Sequence, residues 1–247
     1  MPEAKESRPI AIARDRRETW RRFMDFVDRH QQSNWVFRGV GDATHHALVP
    51  KIGRPGLNYD PAIERVIFAN FCRRARQFID TSGMSAWDLL ALAQHHGLPT
   101  RLLDWTTNPL VAAYFAVTSE PRLVTARIYA VRAPKLIEVS ATDSPFDLQD
   151  VVAFIPSAVA PRIVAQRGLF TVHPDPVTPW RVATGTSLVK GAGADAYDIA
   201  PQHRAFFERK LFQLAVDAAA IKTDLDGVCD TLAWQYRTGI AVGQFNY

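Results

Sequence analysis

Apolar residues recur at helical spacing through the first half of the chain, then give way to strand-like alternation. Trp20, Phe23, Met24 and Val27, followed by His30, fall on one face of a helix that starts near Arg17, with Arg21, Arg22, Asp25 and Asp28 on the other. Residues 1–15 are polar and aperiodic and are expected to be a frayed arm ahead of one domain over 16–247. After the break at Gln32-Ser33-Asn34, the β-branched and aromatic run Trp35–Val40 predicts a strand that buries Arg38 near its end. Gly41-Asp42 turns the chain, and a loop rich in glycine and proline leads on to Pro61. A second amphipathic helix follows, its apolar face read as Ile63, Val66, Ile67, Phe71 and Phe78, with Glu64 and Arg65 in its early turns. Ser85 can N-cap a third helix running from Ala86 into Gln94-His95-His96, which Gly97 stops, with Pro99 beyond. The fourth helix, from about Asn108 through Tyr114 and Phe115, is apolar almost all round and is therefore expected to be central and buried.

From Ala126 the period shortens. Ala126–Val131, Ile137–Val139, Val151–Ile155, Ile163–Gln166 and Leu169–Val172 read as strands, and 174–193 as a loop. Arg204–Leu214 stays open between helix and strand, Thr223–Tyr236 reads as a helix, and a short extended tail closes the chain. Helices gathered in the first half, with mixed or antiparallel strands in the second around one early strand, favour an α+β fold over a doubly wound one.

Composition changes this picture little. A 47% hydrophobic and 22% charged chain of 247 residues is long and apolar enough for one substantial globular domain. A net charge of +4 is too mild to mark a nucleic-acid binder, yet it tolerates an anionic ligand. Cys72 and Cys229 lie far apart with no C-x-x-C, which excludes a disulfide framework and suits a reducing cytoplasm. No apolar run follows the N-terminal charges, and the stretch 109–117 is about half of what a membrane span needs. A soluble cytoplasmic protein without membrane contact is expected.

Chemistry concentrates in residues 92–109, which mix histidines, an amide, an arginine, an aspartate, a tryptophan and hydroxyls between apolar segments. Upstream, Phe37-Arg38-Gly39 puts a guanidinium fork beside a residue that lets another backbone or a ligand come close. That fork suits a phosphate or carboxylate ligand, or else an internal acid such as Asp104 or Glu64. His95 and His96 point about 100° apart on a helix and cannot serve one metal together. A zinc site would have to recruit His45 or His46, no H-E-x-x-H occurs, and no metal is expected. Alternation over Thr100–Thr107 puts Thr100, Leu102, Asp104 and Thr106 on one side and Arg101, Leu103, Trp105 and Thr107 on the other. Hydroxyls beside an aromatic can hold a ribose and stack a planar ring. Asp104 and Asn108 compete to cap the fourth helix, while Glu64, Gln166 and Glu208 are the remaining polar candidates. There is no nucleophile elbow, Walker loop or G-x-G-x-x-G, so hydrolase, ATPase and dehydrogenase readings have no support.

Trp35-Val36-Phe37-Arg38-Gly39, then Leu48-Val49-Pro50, Glu64, and the run from Gln94 to Thr106 closely resemble the FRG domain, a bacterial and phage family named for its Phe-Arg-Gly motif. Arg162-Ile163 and Gln166-Arg167-Gly168-Leu169-Phe170 are similar to a later element of that family, so the resemblance runs over roughly 35–172. Lys210–Phe245 is similar only loosely. A weaker resemblance, to ADP-ribosyltransferases of the Arg-Ser-Glu type, rests on the order aromatic-Arg-Gly strand, hydroxyl-bearing strand and Ala-Ala-Tyr-Phe-Ala helix. It implies a split sheet and NAD as substrate. Arg38 would bind the diphosphate or ribose, Thr106 or Thr100 with His95 or His96 would hold the nicotinamide ribose, and Trp105 or Phe37 would stack the nicotinamide.

The transferases also need an acid that stabilises the oxocarbenium-like state, and here the chain departs from them. No Glu-x-Glu or Gln-x-Glu occurs late, and uncharged Gln166 sits roughly where that element is expected. Either Glu64, Asp104 or Glu208 serves, or transfer is absent. The candidate set is thus Arg38, Glu64, Asp104 and Thr106 for catalysis, with Phe37, Gly39, Gln94, His95, His96, Thr100, Arg101, Trp105 and Gln166 beside Arg38 and Thr106 for binding. The implied protein is an NAD-using enzyme, a toxin or phage-defence effector acting on a protein or nucleic acid. The alternative is a non-catalytic nucleotide-sensing or interaction module using the same pocket.

Overall fold

Pairing of β-branched and aromatic segments builds one sheet. In the computed structural model, which describes residues 8–32, 34–138, 144–157, 165–181 and 193–240, six strands pair antiparallel: β1 (Trp35–Val40), β2 (Leu102–Thr106), β3 (Ala126–Arg132), β4 (Val152–Phe154), β5 (Gly168–Val172) and β6 (Ala194–Ile199). Their order is β4-β5-β2-β1-β3-β6. Around them lie α1 (Arg8–Arg29), α2 (Pro61–Ala75), α3 (Ala86–His95), α4 (Pro109–Thr118), α5 (Pro201–Gln213), α6 (Ala218–Lys222) and α7 (Leu225–Thr238). The fold is α+β, with four of these helices in the first half.

The sheet is unevenly stitched. β1 follows β3 from Trp35↔Arg132 to Val40↔Arg127, and β2 follows β5 from Leu102↔Val172 to Thr106↔Gly168. Between β1 and β2 the register holds only at Phe37↔Thr106. Two three-stranded halves, β6-β3-β1 and β2-β5-β4, therefore meet at one point and splay apart beyond it.

α4 sits directly on β1 because neither presents bulk to the other. A Cβ on Gly39 would stand 1.9 Å from the Ala112 carbonyl oxygen, and Ala112, Ala113 and Ala116 are fully buried. Phe23 and Phe26 of α1, Phe37, Phe207 and Leu211 close that core. Asn108 accepts from Leu110 N–H and so caps α4, with Pro109 at its first turn. At the other end Arg204 of α5 donates to the carbonyls of Ala116, Val117 and Ser119, placing a cation on the negative end of the helix.

Several expectations change. α1 begins at Arg8, so residues 8–15 are helix and not an arm; residues 1–7 lie outside the described residues. Those early turns lack an apolar stripe because Ile10 and Ile12 stay exposed and Asp15 is tied to His203 instead, at 2.7 Å. α2 is inverted: Ile63, Val66 and Ile67 are exposed and Glu64 is buried, drawn inward by Arg101. Beside β4, Leu136 makes only an isolated bridge to Ala153, and Val139 lies outside the described residues. Ala165 and Gln166 belong to a helical turn broken at Arg167 (φ 48°), not to a strand, and 158–164 are outside the description. β6 has no counterpart among the expected strands: in its Ala-Asp-Ala-Tyr-Asp-Ile sequence only Ile199 is buried. Arg204–Leu214 resolves as helix, and 241–247, the expected extended tail, lie outside the described residues. Among the described residues no helix is long and apolar enough to cross a membrane.

Candidate functional site

Where β1 and β2 part, a cleft of about 480 Å³ opens between the two half-sheets, within the size range of small-molecule sites. β1 contributes Arg38, β2 contributes Asp104 and Thr106, α3 contributes Gln94 and His95, and α4 contributes Phe115 with Ser119 just past its end. Lys51 and Arg54, from the turn after Pro50, and Gln166 and Phe170 complete the lining.

A relay of hydrogen bonds fixes the acid. Thr100 Oγ1 donates to Gln94 Oε1, and Gln94 Nε2 donates to Asp104 Oδ1. Arg38 Nη1 donates to the Asp104 backbone oxygen at 2.6 Å and approaches Oδ2 at 3.5 Å. Held from both sides, the Asp104 side chain still keeps 61% of its surface exposed to solvent, whereas that of Arg38 keeps 15%. Arg38, Arg54 and Lys51 outnumber this single carboxylate, so the cleft carries a positive surplus. Burial pushes the Arg54 guanidinium below its ordinary range, the Arg38 charge adds to that, and Asp104 opposes it.

Residues 33–123 match the family model of the FRG domain. The chain carries an FRG domain. No curated protein and no solved structure matches the chain. The FRG span supplies both arginines, Lys51, Gln94, His95, Asp104, Thr106 and Phe115 to the cleft, while Gln166 and Phe170 arrive from outside it.

Of the residues singled out in the sequence, the FRG span brings Arg38, Gln94, His95, Asp104 and Thr106 together at the cleft, and Gln166 joins them from outside it. Thr106 Oγ1 is engaged there, donating to the Gln166 carbonyl at 2.6 Å and accepting from Asn108 N–H at 3.0 Å. Others are packed into the core or engaged elsewhere. Phe37 is packed in the core against Phe26, and Trp105 is buried on the opposite sheet face, its indole donating to Thr171. Both still border the cleft, as do Phe115 and Phe170, but with 2% and 3% of their surface exposed neither offers an open ring face to a ligand. Gly39 borders the cleft, but the space above it belongs to the α4 backbone. Thr100 is buried and supports Gln94, and His96 is exposed beside the His95 ring without lining the cleft.

Glu64 and Arg101 form a buried ion pair, with Nε donating to Oε1 at 3.0 Å, the Tyr59 hydroxyl bonded to both and the Phe146 ring over the guanidinium. Burial, then the Glu64 charge, pushes the Tyr59 phenol up to about 12. Glu208 is taken by Arg122 in a two-bond fork. His45 is paired with Asp42, and His46 accepts from Asp42 N–H. Among the described residues no group of three or more His, Cys, Asp or Glu is placed to hold a metal.

Sequence reasoning missed Lys51, Arg54, Phe115 and Ser119. The first two lie within four residues of the Leu48-Val49-Pro50 segment, which is a usable signal. The faces of α4 could not be told apart in an almost uniformly apolar helix.

Proposed function

We propose that the cleft of the FRG domain takes NAD as substrate and transfers its ADP-ribosyl group to a protein or nucleic-acid acceptor. One observation carries this reading: of the three acids open in the sequence, Glu64 and Glu208 are consumed by arginines elsewhere, and Asp104 alone lines the cation-rich cleft. The surplus cations Arg38, Arg54 and Lys51 suit a diphosphate. Phe115 offers a ring for a planar base.

In the reaction the bond between ribose C1′ and the nicotinamide nitrogen breaks, and its electron pair leaves with neutral nicotinamide. The Asp104 carboxylate, preorganised by Gln94 and Arg38, stabilises the cationic ribosyl centre. The acceptor donates a lone pair to C1′ and releases its proton to solvent. Such an activity would fit a toxin or phage-defence effector. With labelled NAD and mixed protein and nucleic-acid acceptors, wild type is expected to release nicotinamide or transfer label. Arg38→Ala and Asp104→Asn should each cut the rate by about 100-fold or more. Neither release nor transfer by wild type would sink the transferase reading.

A nucleotide-sensing role for the same cleft is the second reading. It is favoured by the fact that Gln94 and Arg38 already engage both Asp104 oxygens and that Gln166 is uncharged. It expects NAD or ADP-ribose to raise Tm without turnover.

A further inference from the structure

The closing helix is amphipathic on the wrong side. Gly227 and Trp234 of α7 face the body of the protein: a Cβ on Gly227 would meet the Ala218 carbonyl oxygen at 2.6 Å, and the Trp234 ring lies 4.9 Å from that of Phe212. On the opposite face Leu225 is 75% exposed, Leu232 55% and Tyr236 91%, with Cys229 exposed between them and Val228 half-exposed at the margin. At about 100° per residue, Leu225, Cys229, Leu232 and Tyr236 fall in a stripe roughly 60° wide. Their 4-3-4 spacing is that of a two-helix seam.

We propose that this stripe pairs with the same stripe of a second copy, antiparallel, making the protein a weak dimer. Charge selects this occupant and this direction. Asp226 near the start of α7 and Arg237 near its end lie on the same flank, about 20° apart around the axis. Asp226 is in no ion pair among the described residues, while Arg237 lies near Asp230, already bonded to Lys222, and helps hold that carboxyl below its ordinary range. In a parallel pair the two-fold axis carries this flank to the far side of the seam, where Val228 and Gln235 of the other helix stand, so neither charge meets its complement. A reversed partner sets each Asp226 beside Arg237 of the second copy, while Leu225 meets Tyr236 of the second copy and Cys229 meets Leu232 of the second copy. Such a contact is self-complementary and closes at two chains. The seam spans only about 17 Å, so the interface is small and a micromolar Kd is expected.

Sedimentation velocity from about 1 to 100 μM covers the range in which an interface of this size assembles. The full chain is expected to pass from monomer to dimer across it, and Leu232→Glu to stay monomeric. Asp226→Arg and Arg237→Asp should each weaken the dimer about tenfold, and the two together should restore it. A short bis-maleimide should join Cys229 to Cys229 of the second copy, with Cys72→Ser as the control that still cross-links. A wild type that is monomeric throughout overturns the proposal and gives the stripe to the chain's own closing segment or to another protein. A dimer indifferent to Leu232→Glu, or a charge exchange that fails to restore it, overturns it equally. The exchanged pair keeps both charges on the surface, so the test survives should Leu232→Glu misfold.

Discussion

Glu64 and Asp104 are both carboxylates paired with an arginine, and burial separates their roles. The Glu64–Arg101 pair is almost wholly removed from solvent, with side-chain exposures of 4% and 3%. Removing one partner leaves a buried charge without its counterion, so Glu64→Ala is expected to cost about 3–5 kcal/mol in denaturant unfolding. If instead Glu64→Ala keeps its stability and loses NAD turnover, the assignment of the acid to Asp104 is wrong. His173 gives a second prediction at this scale. Trp105 Nε1 donates to Thr171 Oγ1, whose hydroxyl lies 2.9 Å from His173 Nε2, a relay completed by a neutral imidazole that accepts there. Burial, with the Arg38 charge behind it, pushes His173 from 6.5 down to about 4. Below pH 6.5 the unfolded chain therefore binds a proton that the folded chain refuses, and stability falls as pH drops from 6.5 towards 4. This one group contributes on the order of 3 kcal/mol across that window and nothing above it. His173→Gln should flatten the decline in urea midpoint between pH 6.5 and 4; an unchanged slope would place the decline elsewhere.

Elements explain what the sequence could and could not reveal. β1, β2, α3 and α4 were legible because local signals agree with their environment: alternation in 100–107, Ser85 and Asn108 as caps, Gly97 as a stop. α2 misled because its apolar residues point outward while an ion pair 37 residues away in sequence decides which face is buried. β6 was invisible because an edge strand with one buried residue carries no apolar alternation. The acid was open among three positions for the same reason: pairing of Glu208 with Arg122 and of Glu64 with Arg101 is tertiary information. The sequence makes Gly39 a place of close approach, and what approaches is α4. Gly39→Ala must push that helix off β1, because the obstructing atoms are backbone, and is expected to destabilise by about 3 kcal/mol or more. Chemical denaturation measures this directly, and near-wild-type stability would mean that α4 does not rest on β1 as described.

At the scale of the whole molecule, the decisive feature is that two half-sheets share one registered pair, Phe37↔Thr106. Each half is well stitched internally, by β1–β3–β6 on one side and β2–β5–β4 on the other, and hydrophobic clusters sit on both sides of the seam. The cleft thus lies where main-chain pairing is weakest, so a ligand held by Arg38 on β1 and by Asp104 and Gln94 across the gap would link the two halves. Local opening free energies follow such differences in pairing. In hydrogen exchange, the β2 amides that face the seam are expected to exchange well before those in the β1–β3 ladder. Saturating NAD should slow the seam amides and leave the β1–β3 ladder unchanged, with a rise in Tm set by ligand concentration over Kd. Uniform protection in both places, or protection by NAD that misses the seam, would show that the ligand does not bridge the two half-sheets.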